Sequence, residues 1–197
     1  LSRNQTSEKV VFSNSEASAA HENNSILPDP KLKKLTHFIK PMLAKETEEP
    51  FDSKDWIFEI KWDGYRAVAE IRDKKILLYS RNGLNFLDNY PVIAEQLKNI
   101  KSNAVIDGEI VVLNDDGKPD FQLLQHYSDH HHRPIQYYVF DLLELSGKDT
   151  TGLSLLDRKE LLKKLLPPNE VVKYSDHIVG NGKSFFRKTN NCLHRFK

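Results

Sequence analysis

The chain has 197 residues and a mass of 22.8 kDa, which is enough for one ordinary domain and a tail. Its 29 basic and 28 acidic residues give a formal charge of +1, so any contact with nucleic acid must come from local patches. The single cysteine, Cys192, excludes an internal disulfide framework and a cysteine-based zinc site. No stretch reaches the ~18 apolar residues of a membrane span and no signal peptide opens the chain, so we expect a cytoplasmic protein without a membrane partner.

Residues 1–36 are rich in Ser, Asn, Glu and Lys and contain Phe12 as their only aromatic residue. Because such a composition cannot bury enough apolar surface to order itself, we predict a disordered linker or tail over this segment. The chain begins at Leu1 and its one methionine is Met42, which indicates a fragment of a longer protein. We interpret the segment as a linker that follows a lost upstream module, with a free flexible tail as the alternative.

Strand-forming residues separated by tight turns open the folded part of the chain. The turns are predicted at Asp63-Gly64 and at 73–75, and such short connections favour an antiparallel meander. The three predicted strands are 56–62, 65–72 and 76–80.

Helices and strands then follow without regular alternation, which favours an α+β fold with antiparallel sheet. Apolar residues recur at helical spacing behind Pro91. The predicted elements are a helix over 87–100, a strand over 104–113, a turn over 114–117, a short helix over 121–127 and a long buried strand over 135–145.

An amphipathic helix is predicted over 154–166, where Pro167-Pro168 ends it. Its apolar side contains Leu155, Leu162 and Leu166. Its charge comes from Arg158, Lys159, Lys163 and Lys164.

The stretch Glu59 to Arg66 places a lysine where a strand runs into a tight turn. Lys61 is expected at the rim of a sheet, partly desolvated, and desolvation together with a cationic neighbour such as Arg66 favours the free amine of a lysine. A free amine can attack phosphorus, so Lys61 is the candidate nucleophile. The alternative is a surface hairpin with an ordinary mixture of charges.

Four short motifs follow one another along the chain. Lys61-Trp62-Asp63-Gly64-Tyr65-Arg66 is followed by Ser80-Arg81-Asn82-Gly83, Asp107-Gly108-Glu109 and Tyr138-Val139-Phe140-Asp141. In this order and spacing, the chain resembles the nucleotidyltransferase domain of ATP-dependent DNA ligases, most closely the ligase module of bacterial DNA ligase D. The resemblance covers about 37–186 and implies an antiparallel-sheet-rich, ATP-grasp-like adenylation domain.

The resemblance implies that Lys61 Nζ attacks the α-phosphorus of ATP, which forms a lysine-AMP phosphoramidate and releases pyrophosphate. A divalent metal, Mg²⁺ or Mn²⁺, would offset the negative charge of the triphosphate. The implied use of the AMP is to seal nicks in double-stranded DNA during repair and recombination. The implied setting is a bacterial cytoplasm close to the nucleoid, with other repair modules upstream in a longer chain.

Three residues are implied to hold the nucleoside. Glu59 shares a strand face with Lys61, and the resemblance makes it the acceptor for the adenine amino group. Glu109 would accept from the ribose hydroxyls, with Gly108 letting the backbone come close to the ligand. The Phe140 ring would stack on the adenine. An exposed strand carboxylate and a core aromatic remain the alternatives, and strict alternation would place Phe140 on the face opposite to Val139 and Asp141.

The phosphate side has two candidate cations and one candidate metal ligand. Arg66 and Arg81 resemble family residues that contact the nucleotide, and Arg81 also resembles a contact to the 5′-phosphate of a nicked strand. Asp63 is either a metal ligand near Lys61 or the cap of its own turn. The run from His130 to His132, with His126, is interpreted as a solvated loop, because adjacent histidines cannot all face one ion.

The sequence departs from the family after Phe186. The expected Glu-Gly-x-x-x-Lys and Lys-x-Lys strands are not found, 187–197 reads as a divergent tail, and no oligonucleotide-binding domain follows. We therefore expect a truncated domain that does not seal nicks. A nucleotide- or DNA-binding remnant without turnover and an RNA ligase or capping-type nucleotidyltransferase are the alternative functions.

Overall fold

The computed structural model describes residues 9–14, 41–43, 49–129 and 132–194, with side chains described for 41–43, 49–129 and 132–189. The strands in these ranges form two sheets, one of three strands and one of six. None of the helices in these ranges is long and apolar enough to cross a membrane. The helices are α1 (Pro91–Leu97), α2 (Phe121–Gln125), α3 (Leu155–Leu165) and α4 (Gly182–His194).

The three-stranded sheet is antiparallel and has the order β1-β2-β9. Its strands are β1 (Lys9–Asn14), β2 (Ser53–Lys61) and β9 (His177–Gly180). Strand β1 pairs with β2 from Lys9 opposite Lys61 to Asn14 opposite Trp56. The prediction of disorder is therefore wrong for 9–14, because a strand edge orders an extended segment through backbone hydrogen bonds without a core of its own. The rest of 1–36 lies outside the described residues.

The six-stranded sheet has the order β4-β3-β5-β6-β7, and β8 pairs with β6 in parallel. The turn at 73–75 joins β3 and β4 as an antiparallel hairpin, as predicted. The predicted three-strand meander is wrong, because β2 pairs with β1 and β9 in the other sheet, and the turn at Asp63-Gly64 passes the chain from one sheet to the other. The strands are β3 (Tyr65–Arg72), β4 (Lys75–Ser80), β5 (Ala104–Val112), β6 (Ile135–Leu145), β7 (Lys148–Asp149) and β8 (Val172–Tyr174).

One face of this sheet is the main apolar core. Ala67, Ile106, Tyr137, Val139 and Leu142 are all fully buried in it. Side chains from α1, α2 and α3 complete the same cluster. This is the alternation of buried positions that an amphipathic antiparallel sheet requires.

A β-bulge interrupts the alternation in β6. Asp107 of β5 lies opposite Asp141, but the next residue, Gly108, lies opposite Val139, so Phe140 is an extra residue in β6. Val139 and Leu142 belong to the apolar core, whereas the two residues between them do not. The expectation that Phe140 and Asp141 lie on opposite faces of the sheet is therefore wrong.

Two helices are shorter than predicted. Helix α1 begins at Pro91 rather than at Leu87, because Phe86 N–H donates to the Leu78 carbonyl at 2.8 Å and keeps the preceding segment on β4. Helix α2 ends at Gln125, and a short 3₁₀ turn follows at Tyr127–Asp129.

Helix α3 agrees with its predicted bounds within one residue at each end, but its charge is not all on the solvent side. Arg158 and Lys159 are buried, together with Leu155 and Leu162. These four positions are spaced i, i+3, i+4 and i+7, which is a single helical stripe. Helix α4, Gly182–His194, runs through the boundary that we predicted between residues 186 and 187.

Candidate active site

The motif turn between β2 and β3 is fixed by a close backbone approach. A Cβ atom on Gly64 would lie 2.0 Å from the Ile110 carbonyl oxygen, so only glycine fits against β5 there. Lys61 is the last residue of β2, and its side chain is exposed rather than partly desolvated as predicted. A residue at the rim of a sheet has few neighbours to cover it, which explains the difference.

Gly108 has a similar packing role. A Cβ atom on it would lie 2.4 Å from the Tyr138 carbonyl oxygen and 2.7 Å from the Tyr137 ring. Gly108 therefore allows β5 and β6 to approach each other. That it also lets the backbone come close to a ligand stays a prediction.

Arg66 lies opposite Glu109 across the β3–β5 pair. Its Nε and Nη2 atoms donate to the two carboxylate oxygens of Asp107 at 2.9 and 2.5 Å, and Nη2 also donates to the Met42 carbonyl at 2.9 Å. The guanidinium carbon sits 4.8 Å from the centre of the Phe140 ring. Arg66 is thus held in one orientation over one face of Phe140.

Glu109 is a partly buried carboxylate of this group, and its pKa lies in the neutral range. Burial raises its pKa to about 7, while the charges of Arg66 and Lys61 act in the opposite direction. The negative charges of Asp107 and Asp63 raise it further. Glu109, Lys61 and Asp63 therefore lie within electrostatic reach of one another.

Glu59 makes a buried ion pair with a residue of α3. Lys159 Nζ donates to Glu59 Oε1 at 2.5 Å and to the Ser175 carbonyl at 3.4 Å, and the Lys159 side chain is 0% exposed. Burial raises the pKa of Glu59, and the charge and hydrogen bond of Lys159 oppose that rise. The negative charge of Asp141 and the positive charge of Arg66 also reach Glu59.

A second ion pair joins α3 to the bulge. Arg158 Nε and Nη2 donate to the Asp141 carboxylate at 2.7 and 3.2 Å, and Arg158 Nη1 donates to the Leu153 carbonyl at 2.7 Å. Asp141 also accepts from Leu142 N–H at 2.8 Å. These contacts hold the residue next to Phe140.

Two aromatic residues form a wall beside the motif turn. The rings of Trp62 and Tyr138 stack with centroids 3.5 Å apart and an interplanar angle of 12°. Trp62 Nε1 donates to the Ser175 hydroxyl at 3.0 Å. Ser175 thereby connects the residue after Lys61 to Lys159, whose ammonium its carbonyl accepts.

Arg81 is exposed in the turn between Ser80 and Gly83, where Gly83 has a φ of +82°. It lines a cleft of about 770 Å³ together with Arg66 and Glu109. Tyr90 and Tyr127 form part of its apolar wall. Lys61, Glu59 and Phe140 are not among the described residues that line this cleft.

A metal ion would find few protein ligands here. No group of three or more His, Cys, Asp or Glu side chains that could hold a metal occurs in the part of the chain that the structure describes. Asp63 lies in the motif turn within electrostatic reach of Glu109. One carboxylate fits a Mg²⁺ ion that a nucleotide delivers, since Mg²⁺ commonly takes one or two carboxylates with substrate phosphates.

The histidine run gives no support for a metal site. His126 is exposed and its Nδ1 lies 3.0 Å from the Gln122 carbonyl, and His132 is also exposed. His130 and His131 lie outside the described residues.

The structure therefore brings Glu59, Lys61, Arg66, Glu109 and Phe140 into one region. Arg81 shares a cleft with two of them, Arg66 and Glu109. The sequence analysis missed four supporting residues. The spacing of α3 contained the signal for two of them, since Arg158 and Lys159 fall on the stripe of Leu155 and Leu162. The other two, Asp107 and Asp141, stand inside the quoted motifs, but no pattern in a strand tells which buried cation will pair with a carboxylate.

A two-sheet α+β fold with a strand-end lysine, flanked by carboxylates, arginines and an aromatic ring, is an architecture of covalent nucleotidyltransferases. The chain matches the family model described as "ATP dependent DNA ligase domain" over residues 41–191. It belongs to this family.

Several named proteins are similar to it. The multifunctional non-homologous end joining protein LigD of Pseudomonas aeruginosa is 34% identical over 134 residues, which are 67% of this chain and 16% of that protein. The SPbeta prophage-derived DNA ligase-like protein LigB of Bacillus subtilis is 30% identical over 151 residues, covering 76% of this chain and 55% of that protein.

The structure of mycobacterial DNA ligase D complexed with ATP and MES is 31% identical and superimposes with a TM-score of 0.61, covering 71% of this chain and 46% of that one. The prediction of an antiparallel-sheet-rich ligase adenylation fold is confirmed by this match. The chain spans about half or less of the length of these relatives.

Proposed function

We propose that this chain binds ATP and transfers AMP to Lys61. The Lys61 Nζ lone pair attacks the α-phosphorus, an N–P bond forms, and the bond from the α-phosphorus to the bridging oxygen breaks. Pyrophosphate leaves with that electron pair, and the amine loses its proton to solvent. The product is a lysyl-AMP phosphoramidate.

The observation that carries the proposal is the convergence of four different functional groups around the end of β2. A lysine, two carboxylates and an arginine-capped aromatic ring come from β2, β3, β5 and β6, and membership in the ligase family supports the same chemistry. Random surface charges would not be oriented by buried partners such as Asp107 and Lys159.

Each group has a chemical task in this proposal. Glu59 accepts a hydrogen bond from the adenine amino group, Glu109 accepts from the ribose hydroxyls, and Phe140 stacks on the base with the face that Arg66 leaves open. Base stacking of this kind contributes about 1–3 kcal/mol. Ionised Glu109 is the better acceptor, so this contact strengthens above its pKa of about 7.

The cations act on the phosphates. Arg66 uses Nε and Nη2 for Asp107, and its Nη1 group makes no hydrogen bond with any described residue, which leaves two donors for a phosphate oxygen. Arg81 is exposed and lines the same cleft as Arg66, where it would meet a phosphate of the nucleotide or of a nicked strand. A bound Mg²⁺ or Mn²⁺, with Asp63 as its protein ligand, would supply charge neutralisation for the triphosphate.

The relatives suggest the use of the AMP. Their names describe DNA ligases and end-joining proteins, and we infer that the lysyl-AMP of this chain serves the sealing of nicks in double-stranded DNA during repair and recombination. A longer chain with further repair modules and a bacterial cytoplasm near the nucleoid fit this use.

Intact-mass measurement after incubation with ATP and Mg²⁺ tests the proposal. The expected result is one AMP adduct that acid removes and alkali does not, that Lys61→Ala abolishes, and that Lys54→Ala on the same strand retains. Lys54 is a matched control because it is exposed on β2, at the other end of the strand. A GMP adduct formed from GTP in preference would favour the capping-type alternative, and no adduct or an adduct on Lys61→Ala would contradict the proposal.

A further inference from the structure

Lys159 has an environment that a stabilising role alone does not explain. Its ammonium group is fully buried and contacts Glu59 Oε1 and the Ser175 carbonyl, and it lies 5.3 Å from the centre of the Tyr174 ring. Desolvating two charges costs about as much free energy as their attraction returns, so a buried ion pair is weak evidence for stability. Its partner, Glu59, is the residue that our proposed function assigns to the base.

We propose that Lys159 is a positioning residue that holds the Glu59 carboxylate as a hydrogen-bond acceptor, so that the site selects a 6-aminopurine nucleotide over a 6-oxopurine nucleotide. The inference rests on the proposed function. It adds a residue of α3 that none of the sequence motifs contains.

The chemistry of a buried carboxyl group explains the selection. An ionised carboxylate only accepts hydrogen bonds, which suits the 6-amino group of adenine and repels the 6-oxo group of guanine or hypoxanthine. A neutral carboxylic acid has an O–H group and can donate to a 6-oxo group. Burial favours the neutral form of Glu59, and the Lys159 charge opposes it.

The geometry leaves one oxygen of Glu59 for the base. Lys159 occupies Oε1, whereas Oε2 makes no hydrogen bond with any described residue. Lys159 also reaches the motif turn indirectly, because Ser175 accepts from Lys159 with its carbonyl and from Trp62 with its hydroxyl. Lys159 thus holds the Glu59 carboxylate and is connected, through Ser175, to the turn that follows Lys61.

Another cation of α3 provides a control. Lys163 is 70% exposed, and it forms its ion pair with Asp176 rather than with Glu59. Lys159→Met and Lys163→Met each remove one cation from the same helix. A purely structural role of Lys159 predicts that Lys159→Met loses stability and leaves base selection unchanged.

The experiment measures affinities by calorimetry in magnesium buffer, with Lys61→Ala in every protein so that no AMP is transferred. The probes are ATP, inosine triphosphate, which has a 6-oxo group, and purine riboside triphosphate, which has only hydrogen at position 6. We expect the parent protein and Lys163→Met to bind ATP about tenfold more tightly than either analogue, as one hydrogen bond to a charged group predicts.

In Lys159→Met we expect the preference for ATP over inosine triphosphate to fall below about threefold or to reverse. A preserved preference in this variant would overturn the inference while leaving the proposed function intact. If Lys159→Met does not fold, Lys159→Gln takes its place in the same affinity measurements, because it keeps a hydrogen-bond donor but not the charge. A parent protein that binds none of the three nucleotides would overturn the proposed function and this inference together.

Discussion

The two faces of the six-stranded sheet differ in how their side chains are satisfied. On one face, Ala67, Ile106, Tyr137 and Leu142 pack in an apolar core. The other face, called the polar face here, has only a small apolar cluster of Val68, Val105 and Leu143 among the described residues. Its charges are paired across strands and with α3: Arg66 with Asp107, Arg72 with Glu144 and Arg158 with Asp141. The apolar face stabilises the fold by burial, whereas the ion pairs of the polar face hold charged side chains such as Arg66 in fixed orientations.

The largest expected effect on stability belongs to the apolar face. Leu142→Ala removes a fully buried side chain and should lower the free energy of unfolding by about 2–5 kcal/mol. Urea unfolding measures the change. Leu77→Ala is the control, because Leu77 is 56% exposed on β4 and should change stability little. An equal loss in both variants would contradict the assignment of the core to one face.

Asp107→Ala should lower the free energy of unfolding by about 1–3 kcal/mol, because it leaves the partly buried Arg66 charge without its carboxylate partner. It should also weaken ATP binding, since Arg66 is no longer fixed over Phe140. Denaturant unfolding measures the free energy of unfolding, and calorimetry measures the affinity for ATP. Full ATP affinity with lowered stability would show that this ion pair does not support the site.

Deletion of 1–36 removes β1, the edge strand that pairs with β2. Because β1 pairs with β2 from Trp56 to Lys61, we expect the melting temperature to fall by about 2–4 °C, which corresponds to ~1 kcal/mol for a chain of this size. This replaces the expectation of no effect that composition alone favours. An unchanged melting temperature in a calorimetric scan would show that β1 does not stabilise β2.

The smallest effect is a pH dependence of the polar face. The pKa of Glu109 is raised from an ordinary value of 4.5 to about 7, so the folded state binds this proton more tightly than the unfolded state does. The contribution of Glu109 to stability is therefore present at low pH and is lost as the pH rises from about 4.5 to about 7.

Urea unfolding of wild type and Glu109→Gln between pH 5 and pH 8 should show this contribution as a steeper fall in the wild type. The amide does not titrate, and so it removes the Glu109 contribution without changing the other carboxylates. Parallel curves for the two proteins would contradict the raised pKa.

The sequence predicts the apolar face better than the polar face. Alternation and turn residues place β3, β4, β5 and β6 within a residue or two, because burial imposes a regular period on a strand. The bulge at Phe140 is not visible in that period, since it depends on how Asp107 and Gly108 pair with β6. The ion pair of Lys159 is not visible in the sequence for a similar reason, because its partner Glu59 is distant along the chain.

The proposed function requires that a nucleotide binds on the polar face beside Lys61. Backbone amide chemical shifts of Lys61→Ala, measured by NMR during a titration with ATP and Mg²⁺, test it most directly. We expect the largest changes at Glu59, Glu109 and Phe140, with little change along the apolar core. Changes centred on Tyr90 and Tyr127 in the neighbouring cleft, or no changes at all, would contradict it.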